Sequence, residues 1–355
     1  MKDKVYINGV GCISAQETGD GFLENAVALS GETVVSSQAP SYKDYISPGA
    51  IRRMGKGVKN GIVASAMAMA DANSPELDAI ITGTGMGCIE DSEKFLKAII
   101  DSDEQFLTPT SFIQSTHNTV GGQIALGLQC KSYNFTYVNG GSSFESALLD
   151  AKMQIETGES QSILIGGVDE CGTYTREFFK VAGLVKSEVD NDTLLESKTP
   201  GFVYGEGATF FVLENKKSAN TYAQVADVKL VNSIEKQHVF EHAVEFLRGN
   251  DMTIQDLDAV ILGLDGDARY DGFYDAFRSE IFEMTPQLYY KHLTAEYHTA
   301  SAFGLWMAAK ILQTQSIPDI IRVNLAHKPV IRTILLYNQL CGKDHSFTLV
   351  KHADS

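Results

Sequence analysis

Basic residues are scarce in this sequence: 29 Lys and Arg stand against 45 Asp and Glu in 355 residues, a formal net charge of −16. That balance excludes broad binding to nucleic acid or anionic membranes, which needs a Lys/Arg surface. Long apolar runs are also missing. None reaches the roughly 18 residues of a membrane-spanning helix. The opening segment MKDKVYINGVG lacks the apolar core of a signal peptide and leads directly into a strand-like pattern. Cysteine is sparse and scattered: Cys12, Cys88, Cys130, Cys171 and Cys341 form no CxxC pair and no metal-binding spacing. A disulfide framework is thereby excluded, and a reduced, cytoplasmic compartment is expected. Only 8 prolines and 44% hydrophobic residues exclude a disordered chain.

What is present is a regular alternation. Short apolar runs read as buried strands at Val5–Val10, Ala79–Gly83, Tyr133–Val138, Ser162–Gly167, Ala208–Leu213, Ala259–Gly263, Ile320–Val323 and Phe347–Val350. Between them lie amphipathic stretches such as Ser143–Thr157, with Phe144, Ala147, Leu148, Ala151 and Ile155 on one helical face and Gly158 as C-cap. Alternating strands and helices predict a layered α/β fold. The sequence also echoes itself. LDAIITG at 77–83 recurs 180 residues later as LDAVILG at 257–263. A helix–strand pair, Ala151-Lys152 leading to Ser162–Gly167, is echoed by Ala309-Lys310 leading to Ile320–Val323. Two similar halves are therefore expected, 1–214 and 215–355, with the polar segment Glu214–Thr221 between them.

Four motifs are candidates for chemistry. In Val138-Asn-Gly-Gly-Ser-Ser143 a strand turns into a helix. Such a turn exposes its central residue at a helix N-terminus, where an anion or a nucleophile is favoured. Its central residue is Gly141, which has no side chain, and Ser142 and Ser143 read most economically as N-caps. In Thr199-Pro-Gly-Phe-Val-Tyr-Gly-Glu-Gly-Ala208 three glycines allow close backbone approach, either as a structural loop or as the wall of a ligand pocket. Lys291-His-Leu-Thr-Ala-Glu-Tyr-His298 gathers acid–base groups before an apolar helix; on spacing alone it reads as a polar helix cap. Leu264-Asp-Gly-Asp-Ala-Arg269 follows the second copy of the repeated strand, and its aspartates read as a solvated turn.

Together these segments resemble the β-ketoacyl-ACP synthases, condensing enzymes of the thiolase fold. Glycine-rich GTGMG at 83–87, GESQSILIGGVDE at 158–170 and GFVYGEGATFFVL at 201–213 carry the resemblance. It implies an αβαβα five-layer fold of two similar halves, with the second half shortened. The family's catalytic cysteine falls on Gly141, and its two histidines fall on Asp265 and Glu296, while a motif lysine is retained as Lys291. Without a thiolate there is no acyl-enzyme. Carboxylates in place of histidine donors repel an enolate, and Lys291 is left to neutralise Glu296. The closing glycine loop of the family is degraded to Asn338–Asp344.

The resemblance therefore implies a non-catalytic subunit of chain-length-factor type, most like those of aryl-polyene or flexirubin-type systems. Its partner would be an active ketosynthase, as a heterodimer, or a second copy as a homodimer. No cofactor of its own is implied, since the substrate rides on the phosphopantetheine of an acyl carrier protein. Phe112, Ile113, Phe135 and Phe202 are candidate tunnel or interface positions; for the first three the alternative is core packing. A second reading is an active 3-oxoacyl-ACP synthase or acyltransferase with Ser142 as nucleophile and His298 or His117 as base. A third is a binding protein that merely reuses the fold. Carrier proteins are acidic, so a chain this short of basic residues is poorly suited to recruit one alone unless those residues cluster.

Overall fold

The computed structural model describes all residues except 1–2, 20, 74–75, 106, 108, 190–193 and 282. Ten strands are present among the described residues: β1 (Val5–Ile13), β2 (Ala79–Gly83), β3 (Tyr133–Tyr137), β4 (Ser162–Asp169), β5 (Gly207–Glu214), β6 (Ala223–Val231), β7 (Ala259–Leu262), β8 (Gln287–Tyr289), β9 (Thr333–Leu340) and β10 (Lys343–Lys351). They form one ladder in the order β3-β2-β4-β5-β1-β6-β10-β9-β7-β8. Read outward from the middle, the two sides are the same pattern, each strand matching the one five places later. β2 pairs in parallel with β3 and β4, as β7 does with β8 and β9. The remaining contacts on both sides are antiparallel. The echo at 77 and 257 is thus β2 and β7, the same strand of two similar half-sheets.

Side-chain alternation along the strands builds the layers. Ile81, Ile163, Ile165 and Leu213 share a core with Ile261, Ile334 and Leu336 and with two central helices, Ser143–Thr157 and Ser301–Thr314. The neighbouring residues Ile80, Leu164 and Val212 face outward onto helix Lys56–Ala72. Val260, Leu335 and Tyr337 face outward onto helix Val239–Gly249. Helix, half-sheet, paired helices, half-sheet and helix make five layers, as expected. All five periodic apolar residues of Ser143–Thr157 are buried, and Gly158 ends the helix at φ 77°. On β1 a Cβ at Gly11 would lie 2.0 Å from the Ala64 carbonyl oxygen, so glycine is what lets the first outer helix approach.

Two expectations need correction. The run Tyr133–Val138 is not a buried strand: β3 lies at the outer edge of the sheet with Tyr133 and Phe135 each 45% exposed. The opposite edge strand, β8, is buried on both faces. Ile320–Val323 is not a strand either. Pro318 and Asp319 start a 3-10 turn over Asp319–Ile321, and Ile321 packs into the central core. The true counterpart of β4 is β9. Asn338–Asp344 comprises the end of β9, a tight turn and the start of β10. Strands β6 and β8 carry polar residues among their apolar ones, and the apolar run Ile334–Tyr337 of β9 passes directly into Asn338 and Gln339.

Candidate functional site

After β3 the chain makes a 3-10 turn, Gly140–Ser142, into the first central helix. Ser142 occupies the N-cap position, but its side chain makes no capping bond. Ser143 closes the turn instead: its hydroxyl donates to the Gly140 carbonyl at 2.7 Å and accepts from the Asn139 N–H at 2.8 Å. The Gly141 N–H donates to the Asp344 carboxylate at 3.0 Å. Ser142 is buried at 4% exposure. Among the described residues, no hydrogen bond joins it to His298 or His117. His298 is half-buried, with its ring over Gly85, whereas His117 is exposed beside Gly87.

The Lys291–Glu296 segment is no surface cap. All four residues of its short helix, Lys291–Thr294, are buried. Glu296 is pinned by the glycine-rich loop 201–208: its N–H donates to the Val203 carbonyl at 2.8 Å, and its carbonyl accepts from the Gly205 N–H at 2.9 Å. Between them Ala295 sits at φ 64°, ψ −174°, a conformation that costs a non-glycine residue about 1–3 kcal/mol. This turn swings Glu296 back onto Lys291, and the two form an ion pair at 3% and 1% exposure.

Asp265 belongs to the same cluster, and its turn is not solvated: Asp265 is 3% exposed and Asp267 is fully buried. Asp267 holds Arg269 through two nitrogens, at 2.9 and 2.5 Å. The Asp271 carboxylate accepts from the backbone N–H groups of Asp265 (3.3 Å) and Gly266 (3.0 Å). From the other side, buried Lys186 donates to Ser197 (2.7 Å), Thr199 (2.9 Å) and the Gly266 carbonyl (2.8 Å). Glu145, on the first central helix, accepts from Ser346 at 2.9 Å. Sequence reasoning missed Lys186, Asp271 and Glu145. Glu145 lies in the helical stretch the sequence marks, directly after Phe144 of its apolar face.

Burial dominates the electrostatics. It pushes Glu296 up to about 8 despite the neighbouring Lys291, with Asp265 adding to the rise. Asp271 is pushed up to about 8 by burial and by Asp265. Glu145 is raised for the same first reason, partly offset by hydrogen bonds and by Lys291. Burial pulls Lys291 down, but Glu296 and Asp265 outweigh it and hold the ammonium above its ordinary value. His292 is buried and stacked on Tyr289 at 3.7 Å between centroids, and burial pulls it to about 3. Burial thus favours the protonated forms of the Glu296 and Asp271 carboxyls and the neutral form of His292, while the surrounding carboxyl groups favour the Lys291 ammonium.

A pH effect follows from this. The folded chain keeps the Asp271 proton up to about 8, whereas an unfolded one loses it near the ordinary carboxylate value. Between these values the native state binds more protons, so this group's contribution to stability falls as pH rises. The variant Asp271→Asn cannot ionise. Its stability relative to the parent should climb by about 1 kcal/mol or more between pH 5 and 8.5, measured by urea unfolding at both ends. A constant difference would show that Asp271 is already ionised at neutral pH.

A cavity of about 240 Å³ adjoins the cluster. Phe179, Leu184, Phe202 and Tyr204 form its apolar wall, Glu296 and His298 its polar side, and the β9–β10 turn its rim. Phe202 lines this cavity, and the glycine-rich loop is thus both structural and a pocket wall. Phe112, Ile113 and Phe135 are elsewhere, on the surface, at 55%, 60% and 45% exposure. Core packing is excluded for all three. No helix among the described residues is long and apolar enough to cross a membrane.

Residues 5–219 match the family model of the β-ketoacyl synthase N-terminal domain. The 3-oxoacyl-[acyl-carrier-protein] synthase 2 of Staphylococcus aureus is 25% identical over 202 residues, 52% of this chain and 49% of that protein. The enzyme of the same name from Rhizobium meliloti is 25% identical over 200 residues, 51% of this chain and 48% of that protein. The matched region thus spans about half the length of these curated relatives. Among solved structures, the ishigamide ketosynthase/chain length factor superposes with a TM-score of 0.82 at 18% identity, covering 99% of both chains. A ketosynthase in complex with its chain length factor from Xenorhabdus doucetiae gives 0.76 at 15% identity, covering 99% of this chain and 98% of that one. At such identities the likeness is one of fold.

Proposed function

The chain belongs to the β-ketoacyl synthase family, and from that premise we propose that it is a non-catalytic member: a chain-length-factor-type subunit that pairs with an active ketosynthase in fatty-acid or polyketide-type elongation. The observation that carries this reading is the Gly141 turn, where the helix N-terminus that suits a nucleophile presents no side chain. The acidic cluster supports it. Asp265 and Glu296 surround Lys291 with buried carboxyl groups at the two positions where the resemblance places histidines.

Two surface features support a partner. Among the described residues no strand pairs with the outer side of edge strand β3, beside exposed Tyr133, Phe135 and Val138, with Phe112 and Ile113 on the short helix Pro109–Gln114. Exposed apolar edges are aggregation hazards unless covered, and a second thiolase-fold chain would continue the sheet. The basic residues also cluster after all. Residues 43–59 hold five of them, Lys43, Arg52, Arg53, Lys56 and Lys59, against one acid, Asp44. Lys43, Arg52 and Arg53 are exposed, a face that suits an acidic carrier protein and revises the expectation from net charge.

The test is co-expression with a catalytically intact ketosynthase, followed by size-exclusion chromatography. A stable heterodimer is expected. Phe135→Lys should weaken it by about tenfold or more without changing the melting temperature of the isolated chain. A chain that elutes alone beside the intact enzyme would remove the basis for this assignment.

A further inference from the structure

The β9–β10 turn is built with backbone strain and aims at one place. Cys341 (φ 51°) and Gly342 (φ 74°) are both left-handed, the pattern of a two-residue type I′ hairpin turn. The ladder register then breaks between Lys343 and Ser346, and Asp344, at φ 50°, lies within the break. Such bulges re-aim a side chain, and left-handed residues other than glycine persist where the surroundings fix them. Asp344 is fixed at both ends: its N–H donates to the Asn232 carbonyl at 2.9 Å, and its carboxylate accepts the Gly141 N–H at 3.0 Å. Leu340 closes over the same glycine. A Cβ on Gly141 would lie 2.7 Å from the Leu340 Cβ and 3.4 Å from the Asp344 Cβ. A Cβ on Gly140 would lie 2.8 Å from the Asp344 carboxylate. The Leu340 Cβ is fixed to the backbone and cannot rotate out of the way.

We propose that this hairpin turn is a built-in occupant of the acyl position: Leu340 fills the volume that a side chain at 141 would need, and Asp344 takes the N–H that would receive an acyl oxygen. The inference rests on the reading of the chain as non-catalytic and deepens it. The site is closed by shape and by charge as well as lacking its thiol, so restoring a thiol alone does not restore a nucleophile. A carboxylate at the start of a 15-residue helix is also electrostatically favoured, which helps hold the turn in place.

The experiment is a stability and labelling cycle. Gly141→Cys should lower the melting temperature in the parent chain, and the introduced thiol should resist iodoacetamide in site-resolved mass spectrometry. In the Leu340→Gly/Asp344→Gly background the same substitution should be neutral or stabilising, and the introduced thiol should label. Asp344→Gly alone suits the left-handed backbone at 344 and should leave the fold intact. Hydrogen exchange of the 139–142 segment should then speed up by about tenfold or more as the charged acceptor is lost. The proposal is overturned if Gly141→Cys melts with the parent and labels equally in both backgrounds, or if Asp344→Gly leaves exchange at 139–142 unchanged. The non-catalytic reading fails separately, if the unsubstituted chain takes up an acyl group.

Discussion

Replacing Lys291 by methionine should cost about 3–5 kcal/mol, because it leaves buried carboxyl groups without their cation. Lys291 is 1% exposed and pairs with Glu296, and Asp265 and Asp271 add to the field that holds its proton. Solvent cannot screen what remains when it is removed. The cost should depend on pH. Near pH 5 protonated Glu296 and Asp271 tolerate the loss; above about 8 the parent gains ionised carboxylates beside Lys291, whereas the variant must keep them protonated or bury them unpaired, so the cost grows with pH. The double variant Lys291→Met/Glu296→Leu removes both charges and should recover most of the stability, since apolar residues of similar volume replace a buried pair at little net cost. Urea unfolding of the single and double variants measures both effects. A single variant within about 1 kcal/mol of the parent would mean that Lys291 is neutral or solvated in the native state.

Asp169→Ala should be comparably damaging, through hydrogen bonding. One carboxylate oxygen accepts from the Thr84 hydroxyl (3.0 Å) and the N–H groups of Gly85 (2.8 Å) and Met86 (3.3 Å). The other accepts the N–H and hydroxyl of Thr299, at 3.0 and 2.9 Å. The side chain is 4% exposed, so alanine would strand several buried donors, each costing about 1–3 kcal/mol. A total loss of about 4 kcal/mol or more is expected, with Asp169→Asn falling between alanine and the parent. The bond also joins the loop after β2 to the start of the second central helix, so the His298 ring over Gly85 should shift with it. A full set of donors rescued by water, seen as less than about 1 kcal/mol lost, would contradict this role.

Much of the fold is legible because buried strands advertise themselves. Ala79–Gly83, Ser162–Gly167 and Ala208–Leu213 are apolar on both faces and lie where their patterns place them. The strand Tyr133–Tyr137 misleads because its aromatic residues suit an exposed edge as well as a core. β9 is hidden by Asn338 and Gln339, polar residues that are buried nonetheless: the Asn338 side-chain oxygen accepts from Tyr290 and that of Gln339 from the Gly342 N–H, while the Gln339 Nε2 has no partner among the described residues.

The site shows a sharper limit. On spacing alone, Lys291–Glu296 reads as a helix cap and Asp265–Asp267 as a solvated turn, and both readings are reversed by burial. The backbone that pins Glu296 belongs to Val203 and Gly205, some ninety residues away, and no local pattern encodes that. The contact between Gly141 and Asp344 spans 203 residues and is equally invisible. Only the family resemblance gathers Gly141, Asp265, Glu296 and Lys291 into one set.

Intact-mass spectrometry after incubation with an acyl-loaded carrier protein and malonyl carrier, with released CO₂ followed in parallel, tests the non-catalytic assignment most directly. The isolated chain should gain no mass and release no CO₂. Adding an intact ketosynthase should place any acyl adduct on the partner alone. An acyl adduct on this chain, at Ser142 or any cysteine, or decarboxylation of the malonyl carrier by the chain alone, would show that it is an enzyme after all.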